Sequence, residues 1–258
     1  MSASPIVFIH GMYMTSLCWE HWMARFQSSG RNCIAPNWPG RDLPIEDLRR
    51  RHPDKALGRL TLTQVVEHFC SLIKALPQKP IAIGHSMGGL IVQILLQREL
   101  VLAGVAIDPA PPVGVLVGSW SLLKSNWQHI TPFKATDQPI EMTFRRFQYT
   151  FMNGLPLEEQ RAAYSRYVVP ESRGVPRESL RTKVDFGKQR APLLIIAGSS
   201  DHIVPAKLNR LNYAKYLRSP QSITDYREFQ GRTHFIIGQN NWEQVADSVL
   251  GWLKERKL

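Results

Sequence analysis

The sequence has few cysteines and no long apolar segment. Only three cysteines occur among 258 residues, at Cys18, Cys33 and Cys70. Their spacing matches no metal-binding motif, and an odd number of thiols cannot all form disulfides, so we predict buried, reduced thiols in a cytoplasmic protein. No segment approaches the roughly 20 apolar residues that a membrane-spanning helix needs. The start of the chain also lacks the basic region and long apolar stretch of a signal peptide.

Acidic residues are scarce relative to basic ones. The chain carries 32 Lys and Arg against 21 Asp and Glu, which gives a formal net charge of +11. Arg49, Arg50 and Arg51 form one cluster, and the other basic residues are interleaved with acidic ones. Because no nucleic-acid-binding motif accompanies the charge, we predict a solvated surface and no nucleic-acid partner. An attraction for anionic substrates or surfaces is the alternative. The oligomeric state stays open.

Short apolar runs alternate with amphipathic helical patterns in both end regions of the chain. This alternation predicts a mostly parallel, doubly wound α/β sheet of about six strands. Residues 41–59 show little periodicity and are predicted to form a loop. The predicted strands cover residues 5–10, 32–35, 80–83, 101–107, 193–197 and 223–229, and the predicted helices cover residues 18–26, 61–76, 87–98, 207–217 and 242–257.

The alternation stops between residues 110 and 189. This stretch carries three or four helical patterns and many aromatic residues, Phe147, Phe151 and Tyr167 among them, and no strand-like run breaks it. We predict a helical cap at 110–189, inserted into an α/β core made of residues 1–109 and 190–258.

One motif stands where a predicted strand turns into a predicted helix. Residues 84–89 read Gly-His-Ser-Met-Gly-Gly. Gly-x-Ser-x-Gly in this context is typical of a nucleophile elbow, a turn so sharp that the serine is lifted above the sheet. Gly84 and Gly88 flank Ser86 at two positions on either side, where a side chain would collide with its neighbour across the turn. Ser86 is therefore the candidate nucleophile.

Acidic and histidine residues follow later strands. Asp108 ends the fourth predicted strand, Asp201 follows the fifth, and His234 follows the sixth. Ligands bind at the carboxyl ends of such strands, so these side chains are site candidates together with Ser86. We assign His234 as the general base and Asp201 as the acid that orients it. Asp108 is the competing acid.

Four segments together resemble the α/β-hydrolase superfamily over nearly the whole chain. They are His10-Gly11, the motif at residues 84–89, Gly-Ser-Ser-Asp-His-Ile-Val-Pro at 198–205 and Gly-Arg-Thr-His-Phe at 231–235. The order serine, acid, histidine is the one expected for this superfamily. The resemblance implies a serine esterase or lipase-like member with a helical cap and a sheet trimmed of its N-terminal strands. It also implies that His10 braces the loop that it begins.

The resemblance places an oxyanion hole and suggests a pocket. The backbone amides of Met12 and Met87 are the expected donors, because one follows the His-Gly pair and the other follows the nucleophile. Three tryptophans of the cap and of the loop after the second strand are candidate pocket residues. They are Trp38, Trp120 and Trp127.

The expected reaction is hydrolysis of a carboxylic ester of a small or medium acid through an acyl-enzyme, with no cofactor and no metal. A cofactor-free perhydrolase, a lactonase, an amidase, a thioesterase and a carbon–carbon bond hydrolase would use the same triad, and the sequence does not separate them. A ligand receptor of the same fold is the alternative from another class. Haloalkane dehalogenases and epoxide hydrolases are excluded, because they carry aspartate where this chain has Ser86.

Overall fold

The centre of the molecule is one six-stranded sheet. The computed structural model describes residues 4–115, 135, 137–218 and 220–258. The strands are β1 (Ile6–Ile9), β2 (Cys33–Ile34), β3 (Ile81–His85), β4 (Ala103–Ile107), β5 (Leu193–Gly198) and β6 (Thr224–Phe229). They lie in the order β2-β1-β3-β4-β5-β6, and every pairing is parallel. The predicted six strands are therefore confirmed, and the sheet is parallel throughout.

Helices cover both faces of this sheet. Those of the described residues are α1 (Glu20–Ser28), α2 (Ile45–Arg50), α3 (Lys55–Arg59), α4 (Leu62–Lys74), α5 (Met87–Gln97), α6 (Phe144–Thr150), α7 (Leu157–Tyr167), α8 (Gly174–Ser179), α9 (Ala206–Tyr216) and α10 (Glu243–Glu255). Successive side chains of β1 point to opposite faces. Phe8 packs with Trp22 of α1 and Trp252 of α10 in one apolar cluster, and Ile9 packs with α4 and α5 in the other. The prediction of a doubly wound sheet is confirmed.

The predicted loop at residues 41–59 contains two helices, so that prediction is wrong in part. Helices α2 and α3 have six and five residues, which is less than two turns each. Such short helices repeat an apolar position too few times to show a helical period. The carboxylate of Asp54 caps α3 by accepting the N–H groups of Ala56 and Leu57.

The region predicted as a cap, residues 110–189, supplies three of the described helices. Residues 116–134 and 136 lie outside the described part of the chain. Helix α8 packs against α4, and an antiparallel bridge pairs Ile140 with Glu171. The division into core and cap stays a prediction.

The order of the strands creates a switch point beside β3. The chain runs outward from β1 to β2, then returns to β3 on the other side of β1. In parallel α/β sheets, ligands bind outside the carboxyl ends of the strands at such a reversal. The loop after β1 and the turn after β3 are neighbours there, since Ile9 pairs with Gly84.

Two predictions made from composition can be compared with the structure. All three cysteines are buried and unpaired, so the predicted free thiols are confirmed. Among the described residues, no helix is both long enough and apolar enough to cross a membrane.

Candidate active site

Ser86 occupies a strained turn between β3 and α5. Its φ of 56° and ψ of −118° lie in a region that residues other than glycine rarely adopt. Its N–H donates to the carbonyl of Ile107, and its carbonyl accepts the N–H groups of Gly89 and Ala110. Such a conformation costs of order 1–3 kcal/mol and persists only where neighbouring contacts enforce it. These hydrogen bonds provide that enforcement.

The glycines around Ser86 allow three backbones to meet. A Cβ on Gly84 would stand 2.2 Å from the carbonyl oxygen of Gly88, which confirms the predicted clash across the turn. A Cβ on Gly88 would stand 2.1 Å from the carbonyl oxygen of Ile9, at the end of β1. A Cβ on Gly11 would stand 2.8 Å from the Cβ of Ser86. The loop after β1 therefore lies directly against the serine.

Ser86, His234 and Asp201 form one chain of hydrogen bonds. The Nε2 atom of His234 lies 3.0 Å from the Oγ of Ser86, and its Nδ1 lies 2.6 Å from the Oδ2 of Asp201. Because a carboxylate only accepts, Nδ1 carries the proton and Nε2 is free to accept the hydroxyl proton. The structure thus brings together the three residues that the sequence analysis selected for a catalytic triad.

The Asp201 carboxylate is held by the backbone that follows it. Its Oδ1 accepts the N–H groups of Ile203 at 2.6 Å and Val204 at 2.9 Å. Its Oδ2 is thereby left to face His234. These two local hydrogen bonds fix the orientation of the carboxylate that orients the histidine.

Asp108, the competing acid, makes different contacts. It is fully buried, and its Oδ1 accepts the N–H of Gly198 at 2.8 Å. Its Oδ2 has no donor in the described part of the chain. Burial, with the neighbouring Asp201 carboxylate second, raises the pKa of Asp108 well above its usual range. Asp108 therefore lies beside the triad, and Asp201 is the acid that meets the Nδ1 of His234.

Two further histidines brace the site as neutral imidazoles. The Nε2–H of His85 donates to the backbone carbonyl of His234 at 2.7 Å. His10 donates from Nδ1 to the carbonyl of Gly11 at 2.8 Å and accepts the N–H of Trp38 at Nε2. Burial lowers the pKa of His10 to about 3, with a contribution from nearby Arg41, and burial also lowers the pKa of His85 well below its usual value. The bracing role expected for His10 matches these contacts.

Met12 and Met87 carry the amides predicted to form the oxyanion hole. Met87 is the first residue of α5, where an N–H has no partner within the helix. Met12 follows Gly11, which abuts Ser86. In the described part of the chain neither amide donates to another protein group. Both amides are therefore free of other protein acceptors there, and their role as an oxyanion hole stays a prediction.

Of the three predicted pocket residues, the structure describes only Trp38. Trp120 and Trp127 lie outside the described residues. Trp38 has no solvent-exposed surface, and its ring stacks on His10 with centroids 4.8 Å apart. The structure therefore gives the pocket-wall prediction no support at Trp38, and this residue instead supports the loop after β1.

Several residues near the site went unselected in the sequence analysis. The ring of Phe151 meets His234 edge-on with centroids 5.0 Å apart, and its carbonyl accepts the N–H of Phe235. The side chain of Gln239 accepts both the N–H and the hydroxyl of Thr233. Phe151 was visible only as one aromatic residue among many in the predicted cap. No local pattern distinguished it.

One group of described side chains has the composition of a metal site. Ligand atoms of His85, Asp108 and His234 lie within 4.8 Å of one another. Both ring nitrogens of His234 are already engaged, with Asp201 and with Ser86. A metal ion there would therefore compete with the triad, and the donor set fits proton transfer better than metal binding.

Comparisons with known proteins agree with this architecture. A family model described as "Alpha/beta hydrolase family" matches residues 6–248. An extracellular alpha/beta-hydrolase from a Paenibacillus species superposes with a TM-score of 0.69 at 21% identity, covering 96% of this chain and 98% of that chain. A methylesterase from Arabidopsis gives 0.68 at 15% identity with 98% and 99% covered, and a monoacylglycerol lipase from Paleococcus ferrophilus gives 0.65 at 17% with 97% and 95% covered. At these identities the likeness shows the fold. A search of curated proteins finds no match.

Proposed function

The chain belongs to the alpha/beta hydrolase family, and from that premise we propose that it is a serine esterase for carboxylic esters of small or medium acids. One observation carries the proposal: a continuous hydrogen-bond chain from the Ser86 hydroxyl through His234 to Asp201. A serine hydroxyl is a weak nucleophile unless a positioned base removes its proton. This arrangement supplies that base in the correct tautomer.

The proposed reaction begins with acylation of Ser86. The Oγ of Ser86 attacks the ester carbonyl carbon while its proton moves to Nε2 of His234. The carbonyl electron pair moves onto oxygen, which the amides of Met12 and Met87 stabilise; one such donor is worth about 10²–10³ in kcat. When the intermediate collapses, the alkoxide leaves with the proton from His234 as an alcohol. The acyl group remains on Ser86 as an ester.

Deacylation runs through the same groups with water as the nucleophile. His234 takes a proton from water, whose oxygen attacks the acyl carbon. Collapse of the second intermediate expels the Ser86 oxygen, which recovers the proton from His234. The carboxylic acid leaves, and Asp201 stabilises the imidazolium in both halves of the cycle.

The structural neighbours support an ester as the substrate class. One is a methylesterase and another is a monoacylglycerol lipase. Both names denote hydrolysis of a carboxylic ester. The substrate proposed for this chain is a small molecule of the same bond type, and the size of its acyl group is the quantity to measure.

A chain-length series of p-nitrophenyl esters tests the proposal. We expect the wild-type protein to hydrolyse the shorter members, with the optimum reporting the size of the acyl pocket. Ser86→Ala removes the nucleophile, and loss of a triad serine costs about 10⁶-fold in kcat in a serine protease with this machinery. Turnover that persists in Ser86→Ala would contradict the mechanism.

A fluorophosphonate probe separates the esterase from a receptor of the same fold. The Paenibacillus neighbour is described as sharing structural and functional homology with tobacco salicylic acid binding protein 2, so a binding role is the relevant alternative. We expect covalent labelling of the wild type at Ser86 and none of Ser86→Ala. Folded wild-type protein that resists the probe would favour the receptor.

A further inference from the structure

The loop that carries Met12 is attached to the predicted cap region through its backbone. We call residues 11–14 the oxyanion loop. Tyr13 has a φ of 63°, which a bulky residue adopts only under constraint. Its N–H donates to the Oε2 of Glu171 at 2.8 Å, and its carbonyl accepts the N–H of Val169 at 2.9 Å. The backbone N–H and carbonyl of this strained residue are therefore both held by one segment more than 150 positions away.

Glu171 is itself held at the centre of a buried set of donors. Its side chain is fully buried, and its Oε1 lies 2.7 Å from the Nη2 of Arg41, whose side chain is 1% exposed. The same oxygen accepts the N–H of Ser172 at 2.6 Å. Its backbone exchanges hydrogen bonds with Ile140 at 2.7 and 2.8 Å. A buried carboxylate with partners on every side has little freedom to move.

Arg41 ties the same set to the core of the molecule. It lies after β2 and donates from Nη1 to the carbonyl of Met14 at 3.2 Å. Residues 13 and 14 of the oxyanion loop are thus contacted by the two members of one ion pair, Tyr13 by Glu171 and Met14 by Arg41. This ion pair therefore holds two consecutive residues of the oxyanion loop in place.

Successive peptide units of the oxyanion loop are fixed from opposite sides. The Gly11 carbonyl, which shares a planar peptide with the Met12 N–H, accepts from His10. The next peptide ends in the Tyr13 N–H, which Glu171 accepts. The Met12 amide can rotate only if the backbone torsion angles between the Gly11 carbonyl and the Tyr13 N–H change together. Loss of the Glu171 carboxylate releases the Tyr13 N–H and so removes one of these two constraints.

We propose that Glu171 is a positioning residue that sets the orientation of the Met12 amide for the developing oxyanion. The proposal rests on the function proposed above. Glu171 touches no substrate and acts through Tyr13. Ester hydrolysis by this chain accordingly depends on a carboxylate from the region predicted to form the cap.

Glu171→Gln is the informative substitution. Each carboxylate oxygen of Glu171 faces at least one N–H donor, so an amide NH₂ would oppose a donor whichever way it turned. We expect kcat of the folded variant to fall by about 10- to 100-fold, the range for a misplacement near 1 Å in an active site. The KM should stay within about threefold, because uniform substrate binding is untouched. Acylation by the fluorophosphonate should slow by a similar factor.

A second variant covers the case in which Glu171→Gln does not fold. Arg41→Met combined with Glu171→Met removes both buried charges at similar volume, an exchange that proteins often tolerate without loss of stability. It also removes the acceptor for the Tyr13 N–H, so we expect the same fall in kcat.

Glu20→Gln is the matched control. Glu20 also joins the core to the predicted cap region, through Arg166 and the hydroxyl of Tyr167, and it makes no contact with the oxyanion loop in the described residues. Its kcat and KM should stay within about twofold of wild type. An equal fall in kcat in Glu20→Gln would overturn the proposal, because general loosening of the cap would then explain the loss. Wild-type kcat in folded Glu171→Gln or in the double variant would overturn it as well. A wild-type protein that neither hydrolyses esters nor reacts with the probe would instead reject the proposed function.

Discussion

The two sides of Ser86 are held in place by different means. On the triad side, each functional group lies within five residues of the end of a strand, and Asp201 is oriented by the amides of Ile203 and Val204, two and three positions further on. On the oxyanion side, the short loop after β1 takes its shape from Glu171 and Val169, which come from a distant part of the chain. The acid of the triad is therefore oriented by its sequence neighbours, although the three triad side chains meet from distant parts of the chain. The oxyanion loop forms hydrogen bonds with residues 169 and 171.

In the proposed mechanism, this difference separates the acid–base chemistry of the triad from the stabilisation of the developing oxyanion. A change within the triad side removes a chemical role and leaves the fold largely intact. A change among the anchors of the oxyanion side leaves every reacting group present but moves an amide. The following substitutions test whether the two sides behave in this way.

Among these substitutions, the largest effect is expected at the acid of the triad. Asp201→Asn removes the negative charge that fixes the tautomer of His234, and the equivalent change in a serine protease lowers kcat by about 10⁴-fold. Asp108→Asn should cost less than about tenfold, because both ring nitrogens of His234 bond to other groups and Asn retains the acceptor for the Gly198 N–H. Steady-state kinetics of both variants on one ester decide the matter. Retained activity in Asp201→Asn with loss in Asp108→Asn would reverse the assignment.

Gly88 is the point where the two sides touch. Gly88→Ala would place a Cβ 2.1 Å from the carbonyl oxygen of Ile9, so α5 must move away from β1. We expect the free energy of unfolding to fall by about 3 kcal/mol, at the upper end for overpacking a rigid site. Urea unfolding gives the value.

Gly251→Ala is the control for this clash. Apart from the neighbouring backbone of α10 itself, no atom of the described residues lies within 4 Å of a Cβ at Gly251. The substitution should stabilise the protein by about 0.5–1 kcal/mol, since alanine favours helix more than glycine does. Equal destabilisation by both alanines would show that close approach is not what Gly88 provides.

The unfolding free energy should depend on pH through two neutral imidazoles, His10 on the oxyanion side and His85 on the triad side. His10 and His85 have folded-state pKa values below the usual one, so below about pH 6.5 the unfolded chain binds protons that the folded protein does not. Each histidine therefore lowers the unfolding free energy by about 1.4 kcal/mol per pH unit as the pH falls from 6.5 towards its folded pKa. The raised pKa of Asp108 acts in the opposite direction, because its stabilising contribution is present at low pH and is lost as the pH rises.

Substitution of each histidine isolates its contribution. His10→Asn retains an N–H near the Gly11 carbonyl, and His85→Gln retains one near the carbonyl of His234. Urea unfolding at pH 7, 6 and 5 should show a shallower dependence in each variant, by about 1.4 kcal/mol per pH unit. A slope equal to that of the wild type would mean that the histidine binds its proton as readily in the folded protein as in the unfolded chain.

The smallest effect on catalysis is expected at Trp38. Trp38→Phe retains a ring against His10, so the KM should stay within about twofold while the melting temperature falls by a few degrees. A clear rise in the KM across the ester series would place Trp38 in the pocket wall after all.

The sequence predicted the triad residues because the patterns that identify them each span only a few neighbouring residues. Gly84 and Gly88 flank Ser86 by necessity, and Asp201 and His234 each follow an apolar run that the sheet buries. Alternation of strands and helices likewise predicted all six strands. These features depend on a few neighbouring residues, so they are visible in the printed order.

The oxyanion side was only half visible for a physical reason. Met12 was selected through the His10-Gly11 pair beside it. Nothing near Glu171 indicates that its carboxylate meets Arg41 and Tyr13, because that contact depends on the path of the intervening chain. The helices α2 and α3 were missed because they are too short to show a period.

The attachment of the oxyanion loop to Glu171 sets a rule for transferring selectivity between relatives. A chimera that takes residues 137–189 from another enzyme replaces the Glu171 carboxylate together with the grafted surface. If Glu171 positions the Met12 amide as proposed, the kcat of such a chimera would fall for every substrate. A graft that ends before Val168 keeps the Val169 amide and the Glu171 carboxylate. A graft that preserves these contacts must therefore end inside the predicted cap, not at the cap's own boundaries.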